Sequence, residues 1–390
     1  MNDTIVRASR IRFILISAVV AVSLLGDALL YALLPAKPEA FGVRVWQIGV
    51  LLAANRFVRL ITNELAGRWI QRRKGNTPLL LALLVGSVIT CSYALPLGFW
   101  WLLFARMLWG ACWSVLRVEG YLSALGYASD RNRGQIFAVY HAVARLGQGG
   151  GLLIGGFLSD LIGIPWTFLL FGLCGCCGIM LVLRTPSLPV KVAPEKTGRQ
   201  TASSSVRWPL ALWSCALCIT MAEEMVANLT GSFVAQRIGP QIPIAMGIAA
   251  LSGLLLSFRS FASLLLGPLV GALSDRLGRK TLLIVFMVLQ SLCVAGLALI
   301  ASWRLLIACM LLQFAFALSS RLLVYTMAGD TAPEHGQALH MSRFVTFTDL
   351  GTALAPVVAF AVFAGYGFLF VAILVWLLLA LVLALLLSMK

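Results

Sequence analysis

Charge is scarce in this chain. Asp, Glu, Lys and Arg make up 11% of its 390 residues, roughly half of what a soluble domain carries. Acids are the rarer sign, 14 against 30 Lys and Arg, and there are only three histidines, His141, His335 and His340. Those histidines have no metal-ligand spacing, and no Walker-type phosphate loop occurs. ATP-driven transport is therefore not indicated. The nine cysteines lie almost wholly within apolar segments, and the CGCC cluster at Cys174–Cys177 has no acid or histidine in its own segment. Small polarizable residues are ordinary packing material there, so no metal and no cofactor is expected. No grouping of nucleophile, base and acid stands out, and the chain is not read as an enzyme.

What is abundant is hydrocarbon, with 61% of residues hydrophobic. Apolar runs of 18 or more residues recur along the whole length, each able to cross ~30 Å of bilayer. Twelve spans are predicted, near 13–34, 45–69, 77–97, 100–125, 136–159, 165–183, 209–236, 244–272, 281–301, 304–328, 339–364 and 366–388. The first is too long for a signal-peptide core and lacks a small-residue cleavage site, so it is expected to stay in the mature protein. The net charge of +16 would suggest nucleic acid in a soluble protein, but its distribution suggests a membrane instead. One set of alternate loops holds most of the Lys and Arg, from Arg7, Arg10 and Arg12 to Arg276, Arg279 and Lys280. The other set holds only Lys37, Arg44, Arg237 and Arg304. By the positive-inside rule both termini are expected in the cytoplasm of a multi-pass cell-membrane protein, with no nucleic-acid partner.

The longest polar stretch, rich in Pro, Ser, Thr and Lys, reads as a flexible linker at 185–207. It separates six-span halves at 1–184 and 208–390. The halves share local patterns: Asn63-Glu-Leu-Ala-Gly67 aligns with Gly267-Pro-Leu-Val-Gly271 at an offset of 204, and Gly134-Gln135 with Gly336-Gln337 at 202. Near-equal offsets suggest a parallel internal repeat. Charge inside the spans has a period of its own. Asp27, Arg56, Arg59, Glu64, Arg106, Arg117, Glu119, His141, Arg145, Glu223, Glu224, Arg259, Arg321 and Asp349 all avoid spans three, six, nine and twelve. A charge in hydrocarbon is costly enough to be turned toward a bundle interior or a wet cavity, which leaves every third helix free to face lipid.

Helical spacing groups these residues into stripes. Asn55, Arg59, Thr62 and Asn63 share a face of span two; Arg106, Gly110, Trp113 and Arg117 share one of span four. His141, Arg145 and Gln148 do so on span five, and Glu224, Asn228 and Ser232 on span seven, where adjacent Glu223 cannot also point squarely inward. Together with Arg321 and Asp349 they read either as a polar solute cavity or as ion pairs that only orient helices. Seven arginines against six acids leave that cavity close to neutral, so solute charge is not legible.

Four strings resemble the major facilitator superfamily of secondary transporters. The fourteen residues GPLVGALSDRLGRK, Gly267–Lys280, are similar to its cytoplasmic loop signature, with Gly267, Gly271, Asp275, Arg276, Gly278 and Arg279 in place. The spacing of Gly267 and Gly271 also offers a small-xxx-small face to a neighbouring backbone. In the first-half copy Asn63 and Glu64 replace Gly and Pro, and Gln71 stands where Asp275 stands. The latch that the resemblance implies for this loop is therefore expected to use Glu64 or Glu119 there. LLGDALLYALLP around Asp27 resembles the first-helix signature, and RMLWG, with Arg106 followed four residues on by Gly110, resembles the fourth-helix one. The resemblance implies a role for Arg106 in proton coupling. A carboxylate such as Asp27, Glu223 or Glu224, shielded from water, is suited to exchanging a proton as access alternates. GQGGGLLIGG, with Gly147, Gly151, Gly155 and Gly156 in register, resembles the antiporter signature, although Leu152 stands where the family has Pro. Closely spaced glycines there could serve as a helix hinge.

The fold expected is an all-α integral membrane protein of twelve transmembrane helices, in two six-helix halves related by a parallel pseudo-repeat. The function expected is proton-coupled transport of a small organic solute by alternating access, by a monomer, with export by antiport preferred. Uptake of an anionic metabolite or siderophore by symport stays open, as does a non-transporting receptor or assembly factor.

Overall fold

A computed structural model describes residues 3–72, 75–128, 133–185, 207–241, 247–330 and 337–388. Most of the expected linker, 186–206, lies outside the described residues, as do His335 and Gly336. Twelve α-helices run through the described residues: α1 (Asp3–Ala36), α2 (Val45–Arg72), α3 (Thr77–Ser92), α4 (Gly98–Tyr127), α5 (Arg133–Leu161) and α6 (Ile164–Leu183), then α7 (Arg207–Phe233), α8 (Ile248–Leu277), α9 (Arg279–Leu299), α10 (Trp303–Asp330), α11 (Gln337–Tyr366) and α12 (Phe368–Ser388). α3 ends five residues before the predicted limit. Pro96 lacks an N–H and disfavours the helical conformation of Leu95, so the chain leaves the helix in the turn ahead of it. Single-residue turns join several helices. Gly278, at φ 85, is one: a side chain there would be strained, and the chain must reverse between Leu277 and Arg279.

Helix neighbours recur six elements apart. α1 packs on α4, α5 and α6 as α7 packs on α10, α11 and α12, and α3 meets α4 and α6 as α9 meets α10 and α12. Close approaches repeat in the same register. A Cβ on Gly49 would meet Pro356 and Val357 of α11, and a Cβ on Gly253 would meet Leu152 of α5. Gly49 and Gly253 are 204 residues apart in the chain, and so are Leu152 and Pro356. The residue that departs from the family pattern, Leu152, thus has its proline at the equivalent place in the second half.

The chain clusters into two compact units. One comprises Met1–Arg44, Ala54–Pro194 and Met246–Ser260; the other comprises Val45–Ala53, Glu195–Ala245 and Phe261–Lys390. In each, long apolar side chains stand exposed on the charge-free helices: Leu173, Met180 and Leu183 on α6, and Leu377, Leu381 and Leu387 on α12. Exposed apolar surface on this scale is what lipid covers. By length and apolar composition nine of the described helices could cross a membrane. The shorter α3 and the charge-bearing α2 and α5 are the exceptions.

Candidate functional site

In the first unit α1 and α4 run antiparallel, and their crossing buries Asp27 (7% exposed) against Arg106 (0%). One guanidinium nitrogen of Arg106 donates to the Asp27 carboxylate, and the other donates to the Tyr31 hydroxyl at 3.0 Å. Tyr31, one turn along α1 from Asp27, donates in turn to Asn55 Oδ1 of α2 at 3.4 Å. The guanidinium carbons of Arg106 and Arg56 lie 5.1 and 5.5 Å from the Tyr31 ring centroid. α2 comes this close because α4 has no side chain at Gly110, where a Cβ would lie 2.6 Å from the Asn55 carbonyl oxygen. A turn further on, Thr62 and Ser114 share a hydrogen bond of 2.8 Å.

The second unit repeats the device between α7 and α10. Glu223, fully buried, accepts an ion pair from Arg321 Nε at 3.3 Å. Glu224 is buried as well, on a different face, where Asn228 Nδ2 donates to its Oε2 at 3.3 Å and to its carbonyl oxygen at 2.6 Å. Both glutamates are therefore buried, on different faces of α7. Each unit thus holds a buried acid paired with an arginine between the first and fourth helices of its half, and the first unit adds a second such pair, Arg12–Glu119. The Asp27–Arg106 pair includes a charge-assisted hydrogen bond and the Arg321–Glu223 pair is a close ion pair; in either, removing one partner leaves a buried charge.

The remaining predicted residues take varied places. Arg59 donates from Nε to the Asn55 carbonyl at 3.2 Å, and Asn63, Trp113, Arg117 and Arg145 are half-buried. Trp113 stacks on buried Trp109 at 5.6 Å. His141 is exposed, its ring 5.8 Å from Tyr121 and 5.4 Å from Tyr140. Asp349 is exposed on α11. Gly147 and Gly151 are packed against α1, Gly155 against Leu29 and Phe171, and Gly156 against Ala249 of α8. Among the described residues an added Cβ on Gly267 or Gly271 would meet nothing within 4 Å, so the close approach expected there is not made by them; α8 approaches α5 at Gly253. Asp275 lies 3.8 Å from Arg279, which also pairs with Asp330 at the end of α10; Arg276 is exposed.

Glu119 and Glu64, offered as alternatives for the first-half latch, differ sharply. Glu119 is buried and bound to Arg12 at 2.9 Å, and Arg12 also donates to Asn76 Oδ1. Glu64 is exposed and pairs with Arg68 one turn away. Glu119→Gln is therefore expected to lower unfolding stability by about 3 kcal/mol or more. Glu64→Gln is expected to cost under about 1 kcal/mol, read from the unfolding midpoints of the purified proteins. Sequence reasoning missed Tyr31, Arg12, Asn76 and Asp330. It also missed Asp160, whose carboxylate accepts from Lys37 at 2.9 Å and from the Ala250 amide at 2.7 Å.

A family model described as Major Facilitator Superfamily matches residues 16–258 and 212–390. The chain belongs to that superfamily. It is not an enzyme but a transporter of small molecules in a membrane. Among curated relatives it is similar to the multidrug resistance protein MdtG of Serratia proteamaculans (strain 568), 24% identical over 363 residues, covering 87% of this chain and 84% of that one. MdtG of Salmonella typhimurium (strain LT2) is 28% identical over 228 residues, 56% of this chain and 54% of that protein. Among solved structures the superfamily fold recurs in the nucleoside transporter NupG, with TM-score 0.75 at 12% identity over 96% of this chain and 98% of that one. It recurs again in a bacterial homolog of the human lysosomal transporter Spinster, inward-facing and unoccupied, with TM-score 0.73 at 13% identity over 97% of each chain.

Proposed function

We propose that this chain is a proton-coupled antiporter that exports a small organic solute by alternating access. It would work as a monomer in a bacterial inner membrane, with both termini in the cytoplasm. The observation that carries the reading is the buried Asp27–Arg106 pair at the crossing of α1 and α4. Parting the pair would leave a carboxylate in an apolar site without its cation, a charge that a proton can neutralise. A rearrangement that parts α1 from α4 would thereby be linked to proton binding. The relatives named for multidrug resistance favour export over uptake. The Asp275–Arg279–Asp330 cluster is assigned to the cytoplasmic gate, and the glycine run of α5 to close packing against α1.

The test is proton movement in proteoliposomes holding the full chain and a trapped pH dye, challenged with a panel of solutes. Antiport predicts that solute entering the lumen expels protons from it. Protons moving with the solute would overturn antiport, and no proton movement with any solute would overturn coupling.

A further inference from the structure

One seam differs between the two halves of the repeat. In the first half α6 lies close on α3: a Cβ on Gly172 would stand 3.0 Å from the Ser87 carbonyl oxygen and from the Cys91 amide nitrogen, and one on Gly175 would collide with the Ser87 hydroxyl. Glycines on one face let two membrane helices approach backbone to backbone. At the offset of 204, Ser87 corresponds to Ser291 of α9, and Gly172, Gly175 and Gly178 correspond to Trp376, Leu379 and Val382 of α12. The register is kept, since the Trp376 indole Nε1 donates to the Ser291 carbonyl oxygen at 3.1 Å. The close approach is not. An indole standing where the first half has no side chain holds α12 away from α9, and a groove of about 420 Å³ opens between them. Both helices belong to the second unit.

The chemistry of this groove suits hydrocarbon. Its lining runs from Ile284 to Ala295 on α9 and from Trp376 to Leu383 on α12, with Met287 and Leu379 buried and Val288 and Leu292 exposed. Among the described residues that line it, Ser291 and Trp376 alone have polar side chains. The Ser291 hydroxyl donates to the Met287 carbonyl oxygen at 2.8 Å, so both donors are engaged by helix backbone. A polar solute would leave its own donors and acceptors unmatched there, a cost that an aliphatic chain does not meet. The length fits as well. From Ile284 to Ala295, eleven positions on, α9 rises about 16 Å. One leaflet contributes ~15 Å to a bilayer core of ~30 Å. Lys280 lies one turn before Ile284 on the same face of α9, at the mouth where a lipid phosphate would sit. An ammonium has three donors and can serve a phosphate alongside a contact within the protein. Basic residues at this depth attract anionic lipids.

We propose that the α9–α12 groove is a lipid site, holding an acyl chain of an anionic phospholipid whose phosphate meets Lys280. The site goes beyond the transport reading and depends on neither the coupling ion nor the direction of transport. Lipid bound to the detergent-purified full chain is counted by native mass spectrometry, with phosphatidylglycerol and phosphatidylethanolamine of identical acyl chains as probes. Phosphatidylglycerol is expected to bind the tighter of the two. Ala295→Leu and Ala380→Phe fill the groove from its two walls, and each is expected to lower phosphatidylglycerol occupancy at least fivefold. Ala380 is exposed, so the second variant fills the groove without loading the core. Lys280→Gln is expected to weaken phosphatidylglycerol by about fivefold, and phosphatidylethanolamine by a smaller factor. Absence of bound lipid, equal binding of the two headgroups, or occupancy unaffected by both filling variants would each overturn the proposal. Lipid held instead in the cleft of about 380 Å³ between α2, α3 and α4 would give the last of these patterns. A dimer that the filling variants dissociate would assign the groove to a second copy of the chain and overturn the lipid site as well.

Discussion

Asp27→Asn is expected to abolish solute-driven proton flux, a loss of ~100-fold or more, the scale on which a positioned proton carrier acts. The argument separates two jobs that one carboxylate performs. Asp27 is the acceptor that Arg106 needs, and it is the proton carrier of the proposed cycle. Asn keeps the shape and an accepting oxygen but neither the negative charge nor the exchangeable proton, so the single variant also leaves the fully buried guanidinium of Arg106 uncompensated. Stability should fall by about 3–5 kcal/mol for that reason alone. The double variant Asp27→Asn with Arg106→Gln removes both charges, and its unfolding midpoint should recover most of the loss while coupling stays absent. Coupling would follow the acid, and stability would follow the charge balance. Coupled flux in the double variant would remove Asp27 from the mechanism. Glu223→Gln is the matched comparison, since Glu223 sits in the equivalent α7–α10 pair. It should destabilise similarly yet still couple, and the reverse pattern would transfer the carrier to Glu223.

Much of the fold was legible in the sequence because the bilayer imposes a one-dimensional rule. Spans three, six, nine and twelve contain no interior charge, and α6 and α12 expose rows of leucine. The repeat was legible in the Gly67 and Gly271 strings, and the structure extends it to contacts, Gly49 on Pro356 and Gly253 on Leu152. The members of the site were legible for a related reason. Asp27, Arg106, Glu223 and Arg321 stand out as charges in apolar helices. Their pairing was not legible: Asp27 and Arg106 lie 79 positions apart, and several arginines compete on composition for one acid. Tyr31 went unnoticed because a tyrosine in an apolar helix carries no local signal; only the position of its hydroxyl between Arg106 and Asn55 gives it a role. The end of α3 at Ser92 was missed because hydropathy continues past the point where Pro96 interrupts the backbone.

The second large effect is expected from one methyl group. Gly147→Ala puts a Cβ 2.6 Å from the Ala21 Cα of α1 and hard against its carbonyl oxygen, and at Gly151 the same change meets the Leu25 oxygen at 2.5 Å and Cα at 2.7 Å. These are backbone atoms of a packed helix and cannot rotate aside, so α1 and α5 must part. In a bilayer no hydrophobic force holds helices together, and close packing is a main source of their affinity. Overpacking of this kind costs about 1–3 kcal/mol, and the unfolding midpoint of either variant should fall accordingly. Gly150, one residue before Gly151 on the same helix, is the internal control. Its Cβ would enter open space, so Gly150→Ala should be neutral or stabilising by up to ~1 kcal/mol through helix propensity. The contrast also separates packing from hinging. A helix that bends at its glycines should lose transport when any of them is stiffened, Gly150 included, with stability intact. A helix that packs through them should lose stability and transport together at Gly147 and Gly151, and neither at Gly150. Because α5 is continuous from Arg133 to Leu161 and these two glycines face α1 backbone within the same unit, the packing outcome is the one expected.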